Sequence, residues 1–302
     1  MSDHLRAALE ERLRHDESEL EAVLRHLRGV RAKLARVSTL LSSLLGRLRA
    51  VRKRGYAFFR DLDARLSSLR EGWRSMEEEL SAKLAALETW ASMELEVARS
   101  ALRDARWRLE ANELEGARAR LSDAELKLGE IKGRLEVELG AIERALAPFA
   151  NSCEEVDKVL KLIEASLPLF ESASFPLRPG ESWLFAARGR LLGEEKVKGV
   201  FYMTDQRILF EAHREVVVKR VFLIFAQKRV ERELLVDVPY ELVDSMSKGI
   251  VGLLAGYGVR VTAPRAGVEE LVVDLKGEEA DFVIRAFDYV RSGRAAADKV
   301  MS

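Results

Sequence analysis

Histidine, cysteine and carboxylate are the side chains that most often perform chemistry, and their spacing here is the first thing to test. The histidines are His4, His15, His26 and His213. A metal site built on one helix would want two such ligands on adjacent turns, or a histidine beside a correctly spaced glutamate. The first three histidines stand eleven residues apart, so no two of them meet on adjacent turns. His15 and Asp16 are sequence neighbours, but on a helix they face different directions. Cys153 is the single cysteine, which excludes an internal disulfide and any multi-thiolate metal site. There is no P-loop, no G-x-S-x-G elbow and no dinucleotide-binding glycine fingerprint in strand-turn-helix context. The glycines of Gly252-Leu-Leu-Ala-Gly-Tyr-Gly258 precede no helix, so they form no phosphate cradle. The many carboxylates fall on surface positions of a helical repeat and read as solvated or paired charges. The expectation is a chain with no catalytic residue, no cofactor and no metal.

Binding is a different matter, because two groups of cations could hold an anion. Between Glu21 and Asp61 no acidic residue occurs, while Arg25, Arg28, Arg31, Lys33, Arg36, Arg47, Arg49, Arg52, Lys53, Arg54 and Arg60 do. A phosphate backbone or a lipid surface would suit such a stretch. Pairing with Glu77 to Glu79 and with Glu154, Glu155 and Asp157 of other helices would equally account for it. The aromatic residues that could stack on bases are few (Tyr56, Phe58 and Phe59), which argues against nucleic acid. The second group is Lys196, Lys198, Arg207, Lys219, Arg220, Lys228 and Arg229, with Arg214 and Arg232 nearby. These could hold an anionic headgroup or an acidic peptide, or form a solvated face.

The first group must sit on helices. No proline occurs before Pro148, and Leu, Ala, Arg and Glu dominate. Leu20, Val23, Leu27, Val30, Leu34, Val37, Leu41, Leu44, Leu48 and Val51 follow alternating steps of three and four. Leu66, Leu69, Trp73, Met76 and Leu80 repeat that step, as do Leu114, Ala117, Leu121, Ala124, Leu128, Ile131 and Leu135. A stripe of that period has to face another helix. Breaks at Arg54-Gly55-Tyr56 and Ala111-Asn112-Glu113 divide the arm into segments of similar length, which suits an up-down-up bundle. The first break is a turn or lies within one long helix. Pro148 should kink or end the third helix, and Ser152-Cys153-Glu154-Glu155 reads as a capping box that restarts it. The helices expected are about 3–53, 57–110, 114–147 and 153–166, together forming an arm over 1–166.

Pro168, Pro176 and Pro179-Gly180 mark a linker over 167–180. Beyond it the period falls to two and β-branched and aromatic residues rise. Strands are expected at 183–191, 196–203, 207–212, 215–225, 230–238, 256–263 and 268–275, then a helix at about 278–291 and a tail over 294–302. Glu278 and Glu279 suit the helix N-terminus, where the dipole favours negative charge. The fold class is α+β multidomain: a long antiparallel helical bundle or coiled coil, then a small β-barrel over 181–293 capped by a C-terminal helix.

Gly199-Val-Phe-Tyr-Met-Thr-Asp-Gln-Arg-Ile-Leu-Phe210 resembles the G-x-hydrophobic-Y-x-T-x-x-R-x-x-F hairpin of GRAM-type and bacterial pleckstrin-homology-like (PH-like) domains. Leu242-Val-Asp-Ser-Met246 and Gly249 to Val261 are similar to a second segment of those domains. The resemblance begins at Gly180 and includes none of the arm. The connection from His213 to Arg232 is longer than the family's, as an extended hairpin would be. The resemblance implies a domain that binds phosphoinositides or proteins and carries no catalysis.

Net charge over the 302 residues is zero, so whole-molecule electrostatics favour neither nucleic acid nor membrane. The N-terminus has no apolar signal core, and the run Gly249 to Val259 is far short of the ~20 residues a spanning helix needs. A cytoplasmic protein, peripheral to membrane if associated with it, is expected. Side-chain amides are confined to Asn112, Asn151, Gln206 and Gln227, a thermophile-like economy. The whole reads as a scaffold: an arm that oligomerises or spaces, and a PH-like domain that recruits a protein partner or an anionic membrane surface. A nucleic-acid-associated coiled coil using 25–60 is the alternative.

Overall fold

A computed structural model describes residues 2–221, 225–251 and 256–300; the side chains of 2, 215–221 and 225–230 lie outside the description. Three long helices come first: α1 (Ser2–Lys53), α2 (Asp61–Glu110) and α3 (Leu114–Glu171). Seven strands follow: β1 (Trp183–Leu192), β2 (Val197–Thr204), β3 (Arg207–Val221), β4 (Phe225–Pro239), β5 (Ser245–Val251), β6 (Gly256–Ala263) and β7 (Val268–Asp274). Helices α4 (Gly277–Arg291) and α5 (Arg294–Val300) close the chain. By contacts it divides into two compact units, 1–43 with 66–154 and 44–65 with 155–302. The cuts fall within the three helices and not at the prolines.

In the first unit the heptad stripes are the core, with Leu20, Val30, Val37, Leu41, Leu80, Leu121, Ile131 and Leu135 all buried. Ion pairs along the flanks give the helix directions. Arg12–Glu125, Lys33–Glu143 and Glu19–Lys132 join α1 to α3 in parallel. Arg31–Glu88 and Glu17–Arg106 join α1 to α2, and Glu94–Lys127 and Asp104–Arg120 join α2 to α3, both antiparallel. This is the expected up-down-up arrangement. Exposed pairs of this kind contribute at most about 1 kcal/mol each, so the apolar stripes supply most of the stability.

Gly55 lies in a turn (φ +86°), and Asn112 makes the second reversal at φ +63°, a conformation asparagine tolerates better than most residues. Helix α2 begins at Asp61, four residues later than the sequence indicated, and 294–300 is helical where a tail was expected. Pro148 neither ends nor divides α3, and the capping box at 152 is not used. Leu139, Ile142, Leu146, Cys153, Val156, Leu160 and Ile163 keep one buried register across the proline. Continuous burial of that stripe outweighs the roughly 3 kcal/mol that an interior proline costs.

In the second unit the antiparallel strands order β4-β3-β2-β1-β7-β6-β5. Strand β1 is shared: Trp183–Leu191 pair with β2, and Arg190–Leu192 pair with β7. Helix α4 lies on β1, β5 and β6 and buries Phe282, Val283, Ala286 and Phe287. Seven antiparallel strands closed by a helix is the architecture that the PH-like resemblance implies. Two strand assignments change. The segment 207–212 and residues 215–221 of the next are parts of one long β3, which forms an extended hairpin with β4, and Phe225 already belongs to β4. Ser245–Val251 is a strand that period-two reading missed, because as a sheet edge it is mostly exposed.

The α1–α2 turn belongs to the core of this second unit. Tyr56 and Phe58 are fully buried. The Tyr56 hydroxyl donates to the Leu184 carbonyl at 3.1 Å, and its ring lies 4.9 Å from that of Trp183. Phe59 takes a left-handed φ of +54°, stacks on Tyr289 at 4.4 Å and donates its N–H to the Tyr289 hydroxyl at 2.9 Å. Arg52 donates to the carbonyls of Tyr56, Phe58 and Phe59 at 2.7, 2.7 and 3.0 Å and so holds the turn in shape.

Candidate functional site

One face of β1–β3 shows how the fold makes a site. Ala186, Val200, Tyr202 and Leu209 form an apolar cluster on it, covered by Leu169, Phe170, Ala173 and Phe175 from the end of α3 and the segment after it. Side chains alternate along a strand, so the same face continues as Arg188 and Arg190 on β1, Lys198 on β2, and Glu211 and His213 on β3. Where the cover stops, the face turns from apolar to cationic.

Arg188, Arg190, Lys198 and His213, with Tyr257, Asp274 and Lys276 from the β6, β7 and α4 side, line an open groove of about 1060 Å³. That volume accommodates a phosphorylated headgroup or an acidic side chain with its surroundings. Four cations stand against one carboxylate. Arg190 is directly opposite Lys198 on β2 and opposite Asp274 on β7, and its Nε donates to Asp274 at 2.9 Å. Among the described residues Arg188 and Lys198 are in no ion pair, while their neighbours Arg178, Arg190 and Arg207 are. Gly199 permits the β2–β3 approach beside them: a Cβ there would lie 2.1 Å from the Glu211 carbonyl oxygen.

Glu211 is the fixed anion behind the groove. It is fully buried and accepts hydrogen bonds from the Ser174 N–H at 2.8 Å, the Ser174 hydroxyl and the Tyr202 hydroxyl at 3.2 Å, with His213 Nε2 at 3.1 Å. Burial pushes its carboxyl up, but the bonds from Ser174, His213 and Tyr202 outweigh that and hold it below the usual range.

The cations named from sequence divide sharply. Lys198 lines the groove, and Lys196 is exposed in the β1–β2 connection outside it. Arg207 is only 4% exposed and serves the fold. Its Nε and Nη2 donate to Glu181 at 2.7 and 2.9 Å, Nη1 to Asp237 at 2.6 Å and Nη2 to the Pro176 carbonyl at 2.9 Å. The Thr204 hydroxyl completes this clasp, donating to Glu181 at 2.7 Å and accepting the Arg207 N–H at 3.0 Å. The T-x-x-R of the hairpin motif thus ties the linker to the sheet, with the Arg207 guanidinium buried among Glu181, Asp237 and the Pro176 carbonyl. Lys219, Arg220, Lys228 and Arg229 lie on the β3–β4 hairpin, in register Val217↔Lys228 and Lys219↔Gln227, but their side chains fall outside the described residues.

Sequence reading passed over Arg188, Arg190, Lys276, Tyr257 and His213 as groove residues. The usable signal was the even spacing of Leu184, Ala186, Arg188 and Arg190 along one strand face. Within the acid-free stretch, Arg31, Lys33, Arg47, Arg52 and Arg54 are paired with acids of the chain itself. Glu155 pairs with Arg65, and Glu77 accepts from Ser38. Among the described residues, no helix is long and apolar enough to cross a membrane.

No family model matches the chain, and no curated protein matches it. Solved structures similar to it include the C-terminal domain of an unknown protein from Leishmania infantum (10% identity, TM-score 0.26, covering 37% of this chain and 86% of that one). The N-terminal PH domain of Vps36 is similar at 15% identity and TM-score 0.26, covering 39% of this chain and 86% of that one. Autoinhibited Vav1 is similar at 11% identity and TM-score 0.30, over 91% of this chain and 58% of that one. At such scores these likenesses carry no weight for function.

Proposed function

We propose that the chain is a non-enzymatic recruiting protein. Its sheet unit, read as a GRAM-type or PH-like module, holds an anionic group of a membrane surface or of a protein partner in the Arg188–Lys198 groove. The helical arm associates with a second copy or acts as a spacer. The observation that carries the reading is that, among the described residues, the cations Arg188 and Lys198 have no acidic partner beside the fixed Arg190–Asp274 pair. A chain that needed only solubility would interleave acids there, as α2 does with Glu96, Arg99 and Arg103.

Flotation with vesicles containing phosphatidylglycerol tests this. Each basic residue near an anionic surface is worth about 1 kcal/mol, so Arg188→Glu with Lys198→Glu should weaken binding by at least about tenfold. Binding of the native chain should fall steeply with salt and be absent on neutral vesicles. Salt-independent binding, or binding unchanged in the double variant, sinks the groove reading. Loss of vesicle binding only on Lys219→Glu with Arg220→Glu would move the site to the hairpin.

A further inference from the structure

Among the described residues, only one ring nitrogen of His213 has a partner. Its Nε2 stands 3.1 Å from a carboxylate oxygen of Glu211. An ionised carboxylate only accepts, so Nε2 carries a proton and donates it. In the neutral ring Nδ1 then has a lone pair and no hydrogen. An anion in the groove would meet a lone pair there, which repels it; a protonated ring would offer an N–H instead.

The surroundings set the balance of charge on the ring. It shares the groove with Arg188 and Arg190 of β1, Lys198 of β2, and Tyr257, Asp274 and Lys276 of the far wall; Arg232 on β4 is its cross-strand partner, and the Tyr202 hydroxyl meets the same Glu211 carboxylate. On its own strand Glu211 lies behind it, and Glu215 follows with a side chain outside the described residues. Glu211 sets one negative charge behind the ring, and Arg188, Lys198, Arg232 and Lys276 bring positive charge to the same face. An anion that offsets those cations shifts the balance toward the charged ring. Linkage makes the effect reciprocal: whatever the anion adds to proton affinity, the proton adds to anion affinity.

We propose that the groove takes up its anion together with a proton on His213, so that this site binds oxyanion groups more tightly as the pH falls. The proposal rests on the anion-binding reading above and adds its regulation. The same Glu211 that orients His213 also grips Ser174 in the segment joining α3 to β1.

Vesicles of phosphatidylglycerol keep their charge across the relevant range, so co-sedimentation at pH 5.5 and pH 8.0 reads the protein's titration. The native chain should bind several-fold more tightly at pH 5.5. His213→Gln keeps a donor for Glu211 but cannot gain charge; its affinity ratio between the two pH values should fall to about one. His213→Lys, permanently charged, should bind well at both. Should His213→Gln retain the native ratio, the pH effect belongs to other groups and the inference is overturned. Loss of binding in Arg188→Glu with Lys198→Glu at both pH values supports the underlying site. Unchanged binding in that double variant removes the site itself, a failure distinct from that of His213. Inorganic sulfate, followed by the His213 ring resonances, separates the sources of the anion. A raised titration midpoint with sulfate assigns recognition to the oxyanion itself. No change with sulfate alongside a pH-dependent vesicle response assigns it to the lipid surface.

Discussion

The two units use the same charged residues to opposite ends. In the helical unit, cations flanking the apolar stripes meet acids on neighbouring helices, as at Lys33–Glu143 and Arg12–Glu125, and the surface largely neutralises itself. In the sheet unit, cations separate into buried and exposed sets. Arg207 disappears into a clasp with Glu181 and Asp237, whereas Arg188 and Lys198 line an open groove with no acidic partner of their own among the described residues. Charge density therefore says little about binding. What distinguishes a ligand surface from a solvated one is whether the fold has already supplied the counter-charge.

The comparison can be broken most forcefully in the core of the sheet unit. Phe58 is fully buried in the α1–α2 turn, and Phe58→Ala should cost about 3–5 kcal/mol in denaturant unfolding, the range for emptying a large core site. A loss below about 1 kcal/mol would mean that the turn is not core. Arg207→Ala comes next: it leaves the buried Glu181 without its partner, at a cost of about 3 kcal/mol or more. Lys198 is exposed, and Lys198→Ala should stay within about 0.5 kcal/mol while weakening anion binding. Equal stability losses in the two variants would erase the distinction between clasp and groove.

Asp16 sharpens the comparison from the helical side. It occupies a core position of the α1 stripe, and its Oδ2 has no hydrogen-bond partner among the described residues. Burial first, and Glu125 second, push its carboxyl up to about 6, against the opposing pull of His15 and Arg12. A carboxyl that ionises at about 4 unfolded but about 6 folded destabilises the folded form when charged. The penalty is complete above pH 6 and is relieved as the pH falls from 6 toward 4. Asp16→Asn should therefore raise the melting temperature at pH 7.5 by an amount equivalent to about 1–2 kcal/mol and leave it nearly unchanged at pH 4. The smallest effect is expected at the exposed pair: Lys33→Ala should cost under about 1 kcal/mol, less at high salt.

The arm was legible because its determinant is local. A heptad stripe names its own buried face, and Asn112 marks a reversal by tolerating positive φ. Strand and hairpin positions came through alternation and the turn chemistry of Thr204 to Arg207. What escaped was fixed at long range. Tyr56 to Phe59 looked like an interruption between helices, because their partners Leu184 and Tyr289 are more than a hundred residues away. Pro148 looked like a helix end because its cost is local, whereas the stripe that overrides it extends on both sides. Arg207 looked available because its two acids lie on other elements. The groove required knowing both the pairing of β1 with β2 and β7 and the point at which Phe170 and Phe175 cease to cover the sheet.

The central contrast, charge answered in one unit and unanswered in the other, can be measured directly by matched charge reversals. Binding to phosphatidylglycerol vesicles at constant salt would be compared for the native chain, for Arg188→Glu with Lys198→Glu, and for Arg31→Glu with Lys33→Glu on the arm. The groove pair should lose about tenfold or more in affinity while the arm pair stays within twofold. The opposite ranking, with the arm reversal abolishing binding and the groove reversal harmless, would contradict the assignment of anion recognition to the sheet unit.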